Sequence, residues 1–463
     1  MNTCKHFGTC GGCSYLDIPY PQELAQKEAN LRESLGPHGH LLEGLIPAPN
    51  QKGYRNKMEF AFGDESKDGR LALGIRKRRS YYEVATLEDC QLIPEDFRKI
   101  ALHTQNYFRD AGETFFHRKR HTGNLRHLVL RRGEFTGQVL ICLSTTSKLE
   151  AALSPLITQL RQLTLDGEIV GILHSINDGV ADVVKDNNIQ ILYGKDRFQE
   201  RLTIPSAHTC VLDFNVSAFS FFQTNSAGAQ VLYGVVKDFA AQAGASLPIQ
   251  ANVSTAASLP TKTNSGAGLA YDLYCGTGTI AQVLSPNFTK VIGIELNPSA
   301  IEAAWENTRL NGITNCEFFA GDVLEVLSRF RDEGITAAIP PLNGLARAEN
   351  RERFNVFSAT GETDLKVNCY KTESADSDLQ TVRPDVVVVD PPRNGLHPKA
   401  LAKLIVLSPP NLVYVACKPE SLARDMAALV EARYKPLRIM GVDMFPRTPH
   451  VEAVALLRRV DKK

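Results

Sequence analysis

The chain has no apolar run of about 18 residues or longer, which excludes a helix spanning a bilayer. Its first residues, Met1-Asn2-Thr3-Cys4-Lys5-His6, lack the apolar core of a signal peptide, so a cytoplasmic protein with no membrane association is expected. An excess of charge of one sign is missing too. The net charge is +1, and a nucleic-acid binder of this composition must gather its cations on one face. No internal repeat is present, and no obligate protein partner is indicated.

What is present suits several packed cores. The chain has 463 residues, 43% hydrophobic and 22% charged, a length that suggests roughly three domains. Ten cysteines in a reducing compartment suit metal ligands, a nucleophile and buried thiols better than disulfides.

The pattern changes twice along the chain. Leu24, Ala25, Ala29, Leu31 and Leu35 predict a helix over 20–36 that ends at Gly36-Pro37. Short alternating runs separated by Gly, Asp and Asn, such as 57–62, 125–130 and 139–143, predict a mainly antiparallel β region. From Phe219 the rhythm becomes strand, glycine turn, helix, as in a parallel sheet covered on both faces. Three parts follow: an N-terminal segment over 1–53, a β-rich part over 54–215 that includes Cys90, and a Rossmann-like part over 216–463. Polar stretches over 245–268 and 332–383 read as surface insertions.

Asp272-Leu273-Tyr274-Cys275-Gly276-Thr277-Gly278-Thr279 reads as a strand end and a glycine turn opening a helix. The next strand ends in Glu295, about 20 residues on, where doubly wound folds place a carboxylate on ribose hydroxyls. The third glycine of the dinucleotide fingerprint is missing, with Gln282 and Val283 in its place. NAD is therefore disfavoured, and S-adenosyl-L-methionine fits better. Asp322 ends a third strand or caps a helix, and Asp390-Pro391-Pro392-Arg393 ends a run of valines at the same edge. Downstream, Leu412 to Val415 run into Ala416-Cys417-Lys418-Pro419. A thiol at that edge is a candidate nucleophile, with Lys418 or the following helix expected to lower its pKa; a buried structural cysteine is the alternative. Glu452 opens the last apolar strand, as a partly desolvated base or an exposed strand-edge residue.

Taken with Tyr54-Arg55-Asn56-Lys57-Met58-Glu59-Phe60, Phe221-Phe222-Gln223 and His450-Val451-Glu452, these runs resemble the RNA uracil-5-methyltransferase family, in the family's order over most of the chain. The resemblance implies an α/β fold: a Rossmann-like methyltransferase domain plus a β-rich RNA-binding domain with an N-terminal cysteine cluster. It implies that Cys417 adds to C6 of a uracil and that Glu452 removes the C5 proton after methylation. It places S-adenosyl-L-methionine on Gln223, Tyr274, Thr279, Glu295, Asp322 and Asp390.

By spacing alone, Cys4, Cys10, Cys13 and the remote Cys90 suit either zinc or an iron-sulfur cluster. The resemblance selects a [4Fe-4S] cluster, of the 23S ribosomal RNA type. It favours ribosomal RNA as partner, with transfer RNA as the alternative, and no RNA-binding β-barrel is expected ahead of the cysteines. Arg55, Lys57, Arg76 to Arg79, Arg118 to Arg120, Arg126, Arg131 and Arg132, beside Tyr81, Tyr82, Phe115 and Phe116, form the expected RNA grip. A radical enzyme would need a C-x3-C-x2-C loop, which is absent, and a non-catalytic RNA-binding protein would not need Cys417, Glu452 and Asp390 together.

Overall fold

Four consecutive valines, Val386 to Val389, form a strand with no solvent exposure, as expected of a strand covered on both faces. It lies at the centre of the larger of two main sheets. The computed structural model describes residues 4–80, 83–180, 188–206, 209–245, 268–327 and 383–460, with the backbone alone of 352–355 and 366–369. The expected insertions, 245–268 and 332–383, lie almost wholly outside the described residues, as do Tyr81 and Tyr82.

The larger sheet has the order β1-β18-β19-β17-β16-β11-β12-β13. Its strands are β1 (Leu42–Ile46), β11 (Leu269–Leu273), β12 (Lys290–Glu295), β13 (Cys316–Ala320), β16 (Val386–Val389), β17 (Asn411–Ala416), β18 (Tyr434–Val442) and β19 (Glu452–Arg459). From β11 the chain winds outward through β12 and β13; from β16 it winds the other way through β17. The order therefore reverses between β11 and β16. A doubly wound fold opens its ligand crevice beyond the carboxyl ends of the strands at that point.

One strand departs from an all-parallel reading. β19 runs antiparallel to both neighbours, and β1, from the N-terminal segment, completes the edge beside β18. The helix expected over 20–36 is α1 (Tyr20–Ser34), and Leu31 and Leu35 pack into the core of this sheet.

The second sheet has the order β4-β3-β2-β5-β6-β7-β8, with strands β2 (Lys57–Asp64), β3 (Leu71–Arg76), β4 (Val84–Thr86), β5 (Leu125–Arg132), β6 (Gln138–Thr145), β7 (Glu168–Ile176) and β8 (Ile189–Gly194). It is antiparallel except between β6 and β7, which are joined through α3 (Leu153–Arg161). Neither α2 (Glu95–Asp110) nor α3 follows from the alternating runs, although Phe97, Ile100, Ala101, Thr104 and Phe108 bury one helical face of α2. Two antiparallel ribbons complete the strands among the described residues: β9 (Arg197–Ile204) with β10 (Cys210–Ser217), and β14 (Glu352–Asn355) with β15 (Lys366–Cys369).

The remaining helices cover the larger sheet: α4 (Ser226–Ala245), α5 (Thr279–Leu284), α6 (Pro298–Leu310), α7 (Pro398–Leu407) and α8 (Pro419–Glu431). Alternation along the strands divides the core in two. Val386, Val388, Val413, Val415, Val454 and Leu456 pack with α4 residues such as Leu232 and Val236. Val387, Val389, Leu412, Tyr414, Ala453 and Ala455 pack on the opposite face with Leu404, Leu422 and Met426.

Candidate active site

The same alternation brings the reactive side chains together. Ala416 on β17 lies opposite Ala453 on β19, so Cys417 and Glu452 continue the register by one rung and fall on the α4 face. Asp390 follows β16 on that face by the same count. Gln223, Tyr274, Glu295, Asp322, Asp390, Cys417 and Glu452 all line one cavity of about 1360 Å³. Thr279, buried at the first position of α5, is not among the lining residues.

Backbone conformation opens the cavity at the end of β11. Tyr274, Gly276 and Gly278 have φ values of 66°, 53° and 74°. A Cβ on Gly278 would stand 2.6 Å from the Phe318 ring, so close packing as well as left-handed backbone requires glycine there. Asp272 anchors the turn from below, accepting from the Ala281 amide at 2.8 Å. The Glu295 carboxylate accepts from the Gly276 amide at 3.2 Å and the Asn297 amide at 2.9 Å, bracing the turn against β12. Asp322 lines the cavity, and its Oδ1 caps the following helical turn through the Leu324 amide at 2.7 Å.

Electrostatics give the two proposed reactive groups different characters. Burial, then the Glu452 and Asp390 carboxylates, push the Cys417 thiol up to about 11, with Arg393 opposing. The expected lowering by Lys418 or the helix start is therefore not found; Lys418 is exposed, and the thiol sits among carboxylates. Glu452 is only 4% exposed, and burial followed by Asp390 holds its carboxyl well above the usual range. Burial also lifts Asp390, to about 7.

Tyr233 of α4 was missed from sequence. Its hydroxyl is buried near Asp390, Asp272 and Glu452 and hydrogen-bonds with the Gln223 side chain. A single tyrosine on an apolar helix face carries no signal of this in sequence.

Cys4, Cys10, Cys13 and Cys90 line a second cavity, of about 380 Å³. Burial, then Cys90, Cys10 and Cys4, push the Cys13 thiol up to about 12, a sign that the four groups face one another. Among the described residues, no group of three or more His, Cys, Asp or Glu side chains is arranged to hold a single metal ion.

The expected RNA grip needs correcting at two positions. Arg126 and Arg131 are 2% and 1% exposed. Arg126 lies over the Phe116 ring at 3.8 Å and donates to the Gly179 carbonyl. Arg131 donates to the carbonyls of Ser217 at 2.8 Å and Ser220 at 2.6 Å, shaping the turn that leads to Phe221 and Gln223. Strand β5, which carries both, is buried on both faces, so its arginines take structural partners. Arg118, Lys119 and Arg120 are exposed between Phe116 and His121.

A methyltransferase-domain family model matches residues 269–338, and the tRNA (Uracil-5-)-methyltransferase model matches 366–460. An uncharacterized RNA methyltransferase of Clostridium tetani is 37% identical over 99% of this chain and 84% of its own length. The chain belongs to the RNA uracil-5-methyltransferase family. Another relative within the RNA methyltransferases, from Clostridium acetobutylicum, is 36% identical over 98% of this chain and 83% of its own. Among solved structures, the Pyrococcus abyssi tRNA (uracil-54, C5)-methyltransferase in complex with S-adenosyl-L-homocysteine is similar at 25% identity and a TM-score of 0.64, covering 97% of this chain and 86% of that one. The uracil-5-methyltransferase family accounts for the α/β fold with its β-rich N-terminal part. Among the described residues no helix is long and apolar enough to cross a membrane.

Proposed function

We propose that this enzyme methylates C5 of a uridine in RNA, with 23S ribosomal RNA as the substrate, through a covalent bond between Cys417 and uracil C6. The observation that carries the reading is the pairing of Cys417 with Glu452 at the open end of one strand pair, in a cavity shared with the glycine turn and Asp390. S-adenosyl-L-methionine, when bound, supplies an activated methyl group. A glycine-opened strand end, the Glu295 carboxylate and the exposed Leu296 suit its ribose and adenine, and Gln223, Tyr274, Glu295, Asp322 and Asp390 would hold it.

The chain's own residues divide the chemistry. Cys417 gives up its proton and adds to C6, moving the C5–C6 π electrons toward C5 and O4. Carbon 5 then becomes nucleophilic enough to accept a methyl group. Glu452 removes the C5 proton, the C6–S bond breaks, and the double bond returns. The raised proton affinity of Glu452 suits it to that step.

5-Fluorouridine RNA tests the reading, because fluorine cannot leave as a proton. Incubation with ribosomal RNA and S-adenosyl-L-methionine should trap a covalent complex, and no complex on either ribosomal or transfer RNA would sink it. A complex on transfer RNA alone would select the substrate favoured by the likeness to the Pyrococcus abyssi enzyme. Because the thiol lies near 11, the rate of adduct formation should climb about tenfold per pH unit between about pH 7 and about pH 9. A flat profile in stopped-flow assays would mean that proton loss from Cys417 does not limit the step.

We also assign Cys4, Cys10, Cys13 and Cys90 to a [4Fe-4S] cluster. Four thiols around one cavity form a suitable donor set, and a multinuclear cluster spaces its thiolates more widely than a single ion does. Its role is to join the N-terminus to the β-rich part. Anaerobically purified protein should show a broad visible absorption shoulder, and colourless protein containing zinc would overturn the assignment.

A further inference from the structure

Glu452 is the first residue of β19, and its side chain is buried, only 4% exposed. Its backbone is held on one side by the last β18 rung, Val442 opposite Glu452, and on the other by the connection 443–451. That connection lies between the two cavities. Phe445 and Glu452 line the large one, and Thr448, Pro449 and His450 line the cysteine cavity.

Arg447 is where this connection is pinned. Its backbone is left-handed, with φ 69°, a conformation that a non-glycine residue keeps only when its surroundings impose it. Its amide donates to Glu23 at 2.6 Å, and its carbonyl accepts from the amides of Ser14 at 2.8 Å and Tyr15 at 3.2 Å, just beyond Cys13. The guanidinium donates to the Ile18 carbonyl at 3.0 Å, to Gln51 at 3.2 Å and to Glu23 at 3.3 Å. Glu23 is fully buried and shares Lys27, at 2.8 Å, with the equally buried Asp443, also at 2.8 Å. Two buried carboxylates thus face two cations, and Lys27 also holds the Phe445 carbonyl at 3.1 Å. Removing the Arg447 charge leaves Glu23 and Asp443 competing for one lysine in a dry site.

We propose that Arg447 is a positioning residue for Glu452, making the proton-abstraction step dependent on α1 and the cysteine loop. The proposal rests on the covalent reading above. Adduct formation depends on Cys417, which follows β17, an interior strand outside this pinned connection; adduct release depends on the direction of Glu452. Loss of Arg447 therefore separates the two steps.

The test is single-turnover chemical quench with uridine-containing RNA on the full-length wild-type, Arg447→Met and Arg447→Lys proteins, with S-adenosyl-L-homocysteine affinity measured by calorimetry. In Arg447→Met, adduct formation and S-adenosyl-L-homocysteine affinity should stay within about twofold of wild type, while release slows about 10–100-fold, the scale of a misplaced catalytic group. Arg447→Lys should recover part of the release rate. If Arg447→Met does not fold, Glu23→Gln removes the shared partner and should show the same split to a smaller extent. Equal slowing of formation and release, or unchanged release, overturns the proposal. A wild-type protein that forms no adduct overturns the covalent reading beneath it, whereas a wild-type adduct released at the same rate by every variant overturns the positioning role alone.

Discussion

Cys417→Ala is expected to abolish the covalent complex with 5-fluorouridine RNA and to lower methylation by about 10⁴-fold or more, the scale seen when a covalent nucleophile is removed. Uracil C5 is a poor nucleophile while its ring is conjugated, and among the described residues no other thiol lines the cavity to take over. Cys275 is buried beneath the glycine turn and belongs to the hydrophobic core. Because alanine at this half-buried position removes only a sulfur, S-adenosyl-L-homocysteine affinity and melting temperature should change little. Gel-shift under denaturing conditions gives the reading, and a stable complex that survives the substitution would sink the mechanism.

Glu452→Gln should have the second-largest effect, on a different step. Glutamine keeps the shape of the side chain and cannot accept the proton. Adduct should therefore form with ordinary uridine RNA at close to the wild-type rate and then release about 10²–10⁴-fold more slowly, the usual worth of a positioned base. The substitution also removes a carboxylate that holds the Cys417 thiol high, so the thiolate becomes easier to form. Formation that is unchanged or slightly faster, with slow release, marks the base. Rapid turnover by this variant contradicts the role.

The pairing on which both experiments depend illustrates how far the residues could be read in one dimension. Valine runs and glycine turns locate the strand ends directly, because buried parallel strands need continuous apolar residues and a close backbone approach needs glycine. The likeness of the motifs to the uracil-5-methyltransferases points to the same residues. Helix α2 was missed although its apolar spacing is helical, because short alternating runs on either side dominated the pattern. Arg126 and Arg131 were misplaced for a different reason: charge alone does not say which face of a strand it occupies. Strand β5 is covered on both faces, and its arginines satisfy a ring face and carbonyls.

By itself, the sequence determined the strand-turn-helix rhythm, the glycine turn, the candidate thiol and carboxylates, and the clustering of cysteines, since these depend on local periodicity and residue chemistry. The tertiary structure alone decided that β19 runs back between β17 and β18, bringing Glu452 beside Cys417 on the α4 face. It alone decided that burial and neighbouring carboxylates raise the thiol rather than Lys418 lowering it, and that the connection carrying Arg447 lies between the two cavities. Strand order, register and desolvation arise from contacts between residues distant along the chain, and no local pattern contains them.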